Sequence, residues 1–430
     1  MKILWLVNIV MPELAEHLGQ KPTVFGGWLT GAMNAVRDHQ LELVVVTNDN
    51  SHNAQTRKYV VRGVTYYITC AKNEDEMRLA FRQILSDEAP DVVHLYGTEF
   101  EQSWAMAQEA DPNRLLISVQ GLVTYCLFHV YGGVPPHFWH TTWMHRLLRL
   151  LHREADSMNQ QRLRFETRSV TEKKTIQRAR FINGGTAWGT ACTAMINPQA
   201  VQLPCELILR DCFYEADRWD YDACEKHSIL VLYGAPLKGF DMLLRALPTV
   251  LERFPDTKVY VMGMRCRYRK LRGIRRWIMN QAPDYDWYVQ SLIEQYHLKD
   301  HLVFCGYLSA EQVKSRLLKT NVFVSPSSIE NHSTALGEAM ITGVPSIASC
   351  VGGLQEMIQH GEDGFLYPFD EPYILAYDIC RLFEDRNLAE KYSENGQIHA
   401  SRTFHRDNNL RDLLRMYEII TNNLKQEGQQ

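Results

Sequence analysis

NVFVSPSSIENHSTALGEAMITGVPSIASCVGGLQEMIQHGEDGFLYP, residues 321–368, contains a strand, a polar loop and a helix in close succession. The apolar run at 321–324 predicts a buried strand, and a Ser/Pro turn leads from it into the loop. Ser333 or Thr334 can cap the helix that follows. Gly343 and Pro345 end this helix, and a second apolar strand begins directly after them.

Two glutamates eight positions apart flank the start of this predicted helix. Glu330 lies on the loop after the strand, and Glu338 lies about one turn inside the helix. The helix N-terminus between them has unpaired N–H groups, which attract anions. An anion site between two carboxylates that accept from hydroxyl groups predicts a nucleotide-sugar as the ligand. The diphosphate would meet the helix end, and sugar hydroxyls would donate to the carboxylates.

The rest of the chain shows the alternation of apolar strands and amphipathic helices that is typical of α/β proteins with parallel sheets. One series of strands ends near Gly185, and a second begins at 229–233. The stretch between 203 and 226 has no clear period and is interpreted as a connection. We therefore predict two Rossmann-like domains facing across a cleft, at residues 1–203 and 204–405, followed by a last helix at 406–430.

Composition places limits on the class of protein. The chain has 430 residues, 45% hydrophobic and 22% charged, as in a soluble globular protein. A net charge of −4 argues against a general nucleic-acid binder. The ten cysteines include no C-x2-C pair, which disfavours a zinc site and fits a reducing compartment. The apolar N-terminus is interpreted as a strand rather than a signal peptide, and no stretch is apolar enough to span a bilayer.

The 321–368 segment resembles the E-x7-E signature of glycosyltransferase family 4, the retaining group 1 enzymes of the GT-B fold that include capsule and exopolysaccharide types. Three further segments resemble this family in the family's order: APLKGFDMLLRALPTVLERFPDTKVYVMG, VFCGYLSAEQV and GGLQEMIQHGEDGFLY. The N-terminal half is similar more loosely, through AVRDHQLELVVVT, APDVVHLYG and ISVQG. The resemblance implies an N-terminal acceptor domain, a C-terminal donor domain, and a last helix that crosses back to the first domain.

The resemblance also implies roles for residues of the second domain. Lys238 would hold the phosphate charge, Glu330 would bind hydroxyls of the donor sugar, and Glu338 would accept from the two ribose hydroxyls. A set of neighbours would contact the diphosphate or the nucleobase, the last two through their backbone: Asn331, His332, Ser333, Thr334, Tyr307 and Leu308.

Five positions bear on the N-terminal domain or on a departure from the family. Gly26 and Gly27 resemble the glycine turn that lets diphosphate and acceptor approach closely, and Gln120 occupies a polar position near the reacting centre. The family usually carries an arginine five residues before its lysine, where this chain has Tyr233. Arg210 is a candidate to replace that arginine, and so is an arginine of the basic segment at 265–276.

The activity that the resemblance implies is retaining transfer of a sugar from a UDP- or GDP-sugar to a hydroxyl of a lipid-linked glycan, in polysaccharide biosynthesis. No cofactor and no metal are expected. The two D-x-D triplets, at 220–222 and 284–286, lie in connecting segments and are interpreted as turns and helix caps. The expected location is cytoplasmic, peripheral at the inner face of a membrane.

Two insertions are candidates for that membrane contact. WMHRLLRLLHR at 143–153 has an apolar helical face opposite three arginines, and RCRYRKLRGIRR at 265–276 has seven basic residues in twelve. The alternative is a solvated or interdomain helix surface.

Three other functions stay open at this point. The missing arginine at position 233 favours a non-catalytic GT-B subunit that binds donor or acceptor for a partner. A sugar-nucleotide epimerase and a phosphorylase-like enzyme acting on soluble glycan are further alternatives of the same fold.

Overall fold

The computed structural model describes residues 1–427 except Phe25, Asp38, Gln40, 50–54, 152–156 and 264–272. Two compact units divide the chain. The first unit comprises Met1–Tyr125, Thr167–Asp211 and Phe404–Gln430, and the second unit comprises Cys126–Glu166 and Cys212–Thr403. Of the two predicted insertions, residues 152–153 and 265–272 lie outside the described residues.

The described residues form fourteen strands: β1 (Lys2–Leu6), β2 (Glu42–Asn48), β3 (Arg57–Val61), β4 (Val64–Thr69), β5 (Val92–Tyr96), β6 (Leu115–Ser118), β7 (Phe181–Asn183), β8 (Val201–Gln202), β9 (Glu225–Tyr233), β10 (Lys258–Gly263), β11 (Leu302–Gly306), β12 (Thr320–Ser325), β13 (Ser346–Ser349) and β14 (Phe365–Tyr367).

They also form the following α-helices: α1 (Pro12–His17), α2 (Gly27–Arg37), α3 (Glu74–Glu88), α4 (Glu101–Glu109), α5 (Val123–Cys126), α6 (Trp143–Leu150), α7 (Met158–Arg178), α8 (Ala187–Ile196), α9 (Phe240–Arg253), α10 (Gly273–Gln281), α11 (Tyr285–Gln295), α12 (Ala310–Leu318), α13 (Thr334–Ile341), α14 (Leu354–Met357), α15 (Pro372–Glu384), α16 (Arg386–Thr403) and α17 (Arg406–Glu427).

The first unit is built on an eight-stranded sheet in the order β3-β4-β2-β1-β5-β6-β7-β8. Its pairings are parallel except that of β3 with β4. Arg62 and Gly63 join these two strands with left-handed φ of 50° and 82°, which suits a two-residue hairpin turn. The sequence analysis did not predict this hairpin, because β3 alternates between half-buried and exposed residues and lacks an apolar run.

The second unit is built on a six-stranded parallel sheet in the order β11-β10-β9-β12-β13-β14. The first five of these strands in chain order, β9 to β13, coincide with apolar runs in the sequence. β9 and β12 are neighbours, with Val231 opposite Val324. Because parallel strands end at the same edge of a sheet, the loops after β9 and β12 lie next to each other.

The C-terminal helix α17 belongs to the first unit, as predicted. The Tyr417 side chain is fully buried there. Its hydroxyl accepts from Trp5 Nε1 at 2.9 Å and lies 2.9 Å from His94 Nδ1. Burial lowers the pKa of His94 to about 3. The last helix is therefore part of the core of the first unit.

The segment 126–166 groups with the second unit, whereas the predicted boundary at 203 placed it in the first domain. The ring of Phe138 packs on Tyr288 with centroids 4.9 Å apart, and His145 Nε2 lies 3.2 Å from the carbonyl oxygen of Pro283. The domain boundary was wrong here because these partners are far apart in sequence, and local pattern does not reveal such contacts. In the described part of the chain, every helix is too short or too polar to traverse a lipid bilayer.

Candidate functional site

The carboxyl end of β12 leads through a loop into α13, as the sequence predicts. Ser333 is the N-cap of this helix, and its Oγ accepts from the N–H of Leu336 at 3.3 Å. Thr334 is the first residue of the helix and is half-buried. The cap leaves the N-terminal end of α13 beside the loop that carries Glu330.

An ion pair joins the loops after the two central strands. Lys238 Nζ lies 2.6 Å from Glu330 Oε2, and both side chains are partly buried. Ser327 Oγ donates to the same carboxylate oxygen at 3.1 Å. Lys238 follows β9 and Glu330 follows β12, so the strand order brings them together although they are distant in sequence. The sequence analysis had given these residues separate roles without predicting their contact.

Close backbone contacts at two glycines lock this arrangement. Gly239 has φ of 63°, and a Cβ there would lie 1.7 Å from the carbonyl oxygen of Pro326. Gly352 has φ of 49°, and a Cβ there would lie 2.1 Å from the carbonyl oxygen of Glu330. These positions require glycine both for their left-handed backbone and for the space. At these two glycines, the three loops approach one another closely enough for backbone contact.

A small cavity opens beside the ion pair. Its volume is about 240 Å³ when the open mouth is included. Its lining comes from the ends of β9 and β12 and the start of α13: Leu232, Lys238, Phe323, Val324, Ser325, Pro326, Ser327, Glu330, Ser333 and Ala335.

The other predicted site residues of the second unit lie at two separate locations. Asn331 and His332 lie on the loop before α13, buried and half-buried, and Glu338 lies in the helix with 3% of its surface exposed. Tyr307 and Leu308 follow the edge strand β11, which β10 separates from β9. They share the edge of the sheet with the cavity but do not line it.

The structure adds a segment that the sequence analysis had not assigned to this site. Ser328 Oγ donates to the carbonyl oxygen of His129 at 3.2 Å. A Cβ on Gly132 would lie 2.5 Å from the carbonyl oxygen of Pro236, which is part of the turn that carries Lys238. The segment 126–166 therefore contacts both of the loops that carry Lys238 and Glu330. The glycine pair at 132–133 is the one sequence signal that could have indicated this close approach.

Tyr233 does not supply the charge of the arginine that the family carries. Its ring is buried and stacks on Tyr285 with centroids 5.9 Å apart. Its hydroxyl donates to Asp286 Oδ1. This contact also gives one D-x-D residue a structural role, and its neighbour Asp284 caps α11 by accepting from Trp287 N at 2.7 Å.

The other D-x-D triplet also forms a turn. Asp220 Oδ1 accepts from the N–H of Asp222 at 2.7 Å, and the Asp222 carboxylate pairs with Arg386 at 2.9 Å. Across the described residues, no cluster of three or more His, Cys, Asp or Glu has a geometry that could hold a metal ion.

The first unit presents its predicted residues at the carboxyl edge of its own sheet. Gly26 has φ of 70°, and Gly27 begins α2. A Cβ on Gly27 would lie 2.7 Å from Cδ of Arg210, so this side chain covers the start of the helix. Gln120 follows β6, and its side chain lies beside Gly97.

Two carboxyl groups near Gln120 were missed by the sequence analysis. Glu99 Oε2 accepts from the N–H of Thr98 at 3.1 Å and borders Gly97. Glu172, on α7, accepts from the N–H groups at the start of α5 at 2.7 and 3.0 Å. Burial raises the pKa of both carboxyl groups. Glu172 has a structural role as the cap of α5, whereas Glu99 lies beside a predicted site residue.

One family model matches a continuous stretch of the second half of the chain. A model described as "Glycosyl transferases group 1" matches residues 215–399, which include Lys238, Glu330 and α13.

Curated relatives match about half of the chain. An uncharacterized glycosyltransferase of Methanocaldococcus jannaschii is 27% identical over 183 residues, 42% of each chain. Phosphatidyl-myo-inositol mannosyltransferase of Mycobacterium tuberculosis is 27% identical over 232 residues, 52% of this chain and 55% of the relative. The chain spans about half the length of the curated relatives it matches.

Solved structures match nearly the whole chain. Sucrose-phosphate synthase from Thermosynechococcus elongatus superposes with a TM-score of 0.69 and 17% identity, covering 97% of this chain and 98% of its own. HepE of Anabaena, in complex with UDP and glucose, superposes with a TM-score of 0.65 and 14% identity, covering 97% and 99%. The shared feature at these identities is the fold.

Proposed function

We propose that this protein transfers a sugar from a nucleotide-sugar to a hydroxyl group of a glycan acceptor. The match of residues 215–399 to the group 1 glycosyl transferases and the GT-B fold of the chain support this proposal. The observation that carries the proposal is the contact between Lys238 and Glu330 beside the start of α13.

The contact fits the bond that such an enzyme breaks. In a nucleotide-sugar, the anomeric carbon and the β-phosphate share one oxygen atom. A cation for the phosphate and a carboxylate for the sugar hydroxyls must therefore lie close together, as Lys238 Nζ and Glu330 Oε2 do at 2.6 Å. Negative charge grows on the departing phosphate in the transition state, and a fixed cation with a helix N-terminus lowers that barrier.

We propose that the transfer retains the configuration of the sugar. The acceptor hydroxyl attacks the anomeric carbon on the face that the phosphate leaves, and the bond from that carbon to the phosphate oxygen breaks. The departing phosphate oxygen takes the proton of the attacking hydroxyl. Lys238 and the end of α13 at Ser333 and Thr334 hold the phosphate charge, Glu330 holds the sugar, and Glu338 binds the ribose. No metal is needed in this scheme, so the transfer is expected to persist in a chelator.

The acceptor in this proposal is a lipid-linked glycan, in keeping with the mannosyltransferase among the relatives, whose name includes a lipid. The donor is a UDP- or GDP-sugar, and the UDP complex of the Anabaena neighbour supports the first of these. We place the reaction in the cytoplasm, in polysaccharide biosynthesis.

A second function is favoured by one observation. The buried Tyr233 points its hydroxyl at Asp286 and brings no cation to the site. This arrangement fits a subunit that binds the donor without transferring the sugar. Transfer or slow hydrolysis of the donor by the purified chain would exclude it, and product analysis without acceptor would separate transfer from epimerisation.

Thermal unfolding in the presence of nucleoside diphosphates and their sugars tests the donor site. A ligand that binds the folded state at a hundred times its Kd stabilises the protein by about 2.7 kcal/mol. We expect one diphosphate to raise the unfolding midpoint of the wild type, and Glu338→Gln to reduce the shift. Glu362→Gln, an exposed glutamate in the same unit, is the matched control and should keep the full shift. No shift with any nucleotide, or an equal shift in Glu338→Gln, would contradict the assignment.

A further inference from the structure

Two helices that the proposed reaction does not use, α6 and α10, meet in the second unit. The rings of Trp143 on α6 and Trp277 on α10 have centroids 6.5 Å apart. The Thr142 hydroxyl, at the N-cap of α6, donates to the carbonyl oxygen of Gln281 at the end of α10. Hydrogen bonding thus fixes one end of α6 on α10, and the two helices present a joint surface.

The apolar side of α6 faces away from the protein. Its buried residues are Met144 and His145, whereas Leu150 is 77% exposed. On α10, Ile274 is 72% exposed and lies one turn from Trp277, which is also exposed. We name the exposed large apolar residues of the two helices the apolar patch: Trp143, Leu147, Leu150, Leu151, Ile274 and Trp277. A group of this size, exposed together, is typical of an interaction surface rather than of scattered surface residues.

Two exposed arginines lie on the same helix as the leucines of this patch. Arg146 and Arg149 are exposed on α6, and among the described residues neither has a carboxylate partner. The two insertions, 143–153 and 265–276, contain ten arginines and lysines and no acidic residue. Since the whole chain has a net charge of −4, the rest of the chain carries −14.

We propose that the apolar patch docks the second unit on an anionic lipid bilayer. Tryptophan and leucine side chains enter the boundary between headgroups and acyl chains, and arginines beside them pair with lipid phosphates. A second copy of the chain is a poorer occupant, because docking patch to patch would bring Arg146 and Arg149 of the two copies together. The docking needs neither donor nor acceptor, so it stands or fails separately from the proposed transfer.

Vesicle co-sedimentation tests this proposal with the full chain. Wild-type protein should bind vesicles of phosphatidylcholine mixed with an equal share of phosphatidylglycerol, and should bind pure phosphatidylcholine far more weakly. Leu150→Glu removes a leucine from the contact and adds a repelled charge, so we expect binding to fall by about tenfold or more. Replacing both Arg146 and Arg149 by glutamine should weaken binding and reduce its dependence on salt.

Leu79→Glu is the matched control. Leu79 is a leucine of comparable exposure, at 64%, on α3 of the first unit, away from the patch. It should bind vesicles as the wild type does, and thermal unfolding should show both variants folded. Absence of wild-type binding to the anionic vesicles, or equal binding by Leu150→Glu, would overturn the proposal. A concentration-dependent dimer that Leu150→Glu dissociates, without vesicle binding, would assign the patch to self-association instead.

Discussion

Glycines at the carboxyl edges of the two sheets lie against different kinds of neighbour. In the second unit, Gly239 lies against the backbone carbonyl of Pro326. In the first unit, Gly26 lies against the end of the Ile9 side chain, and Gly27 lies against the Arg210 side chain. Backbone cannot yield, whereas a side chain can change rotamer. The comparison indicates that the proposed donor edge is rigid, while the proposed acceptor edge can adapt to different acceptors.

The largest expected effect is on the free energy of unfolding, and it differs between the two edges. Gly239→Ala should destabilise the second unit by about 4 kcal/mol or more, because the new Cβ meets a backbone oxygen and φ is left-handed. Gly26→Ala should cost roughly half as much, since the Ile9 side chain can move. Urea unfolding followed by hydrogen exchange in each unit would measure both.

Gly361→Ala is the control for backbone strain. Gly361 has φ of 81° with open space around its Cβ position, so alanine there should cost only about 1 kcal/mol. If Gly239→Ala were no worse than Gly361→Ala, the backbone contact would not be what holds the loops after β9 and β12 together.

A second contrast concerns turnover. Lys238→Met removes the cation from the proposed donor edge and should lower kcat by about 10²–10³-fold, with a smaller effect on acceptor KM. Gln120→Ala in the first unit should instead raise acceptor KM by about tenfold or less. Steady-state kinetics with the donor identified by thermal unfolding would measure both.

Lys391→Met, which removes an exposed lysine of the second unit, should leave the kinetics unchanged. The assignment of the two edges to donor and acceptor would be reversed if Lys238→Met altered only acceptor KM.

The smallest contrast is in the response to pH. Burial raises the pKa of Asp241, three residues after Lys238, to about 6 from an ordinary value of 3.8. A raised carboxyl pKa means that stability is full below pH 3.8 and falls as pH rises through 6. Between pH 4 and 7.5 this carboxyl group should account for a loss of roughly 2 kcal/mol, and Asp241→Asn should reduce the pH dependence of the second unit by that amount.

His94 should contribute the opposite slope to the first unit, because burial lowers its pKa to about 3 from 6.5. Its contribution to stability is full above pH 6.5 and is lost as pH drops towards 3. Hydrogen exchange of the two sheets at both pH values, corrected for intrinsic exchange rates, would measure the slopes. If Asp241→Asn and His94→Gln left the slopes of their units unchanged, the assignment of these two groups would be refuted.

The parts of the structure that were predictable from sequence are those with local causes. The strands β9 to β13 follow from apolar runs, and Ser333 caps α13 because its hydroxyl reaches an N–H three residues ahead. The contact of Lys238 with Glu330 depends on β9 and β12 being neighbours, which no local pattern shows. The family resemblance gave the roles of these residues, and those roles stay predictions.

The parts that could not be predicted depend on distant partners. Segment 126–166 joins the second unit through contacts such as that of Phe138 with Tyr288. The sequence identified Tyr233 as a departure from the family, but only the structure shows its hydroxyl bound to Asp286. Tyr307 and Leu308 follow the predicted strand, and their proposed contact with a nucleobase stays a prediction.

The position of Tyr417 has a consequence for the order of events during synthesis. The first unit takes its opening strands from the start of the chain and its closing helix from the end, with the whole second unit made between them. At about 5–20 residues per second, Trp5 and His94 wait for tens of seconds before Tyr417 emerges. During translation the second unit can fold first, although the first unit begins the chain.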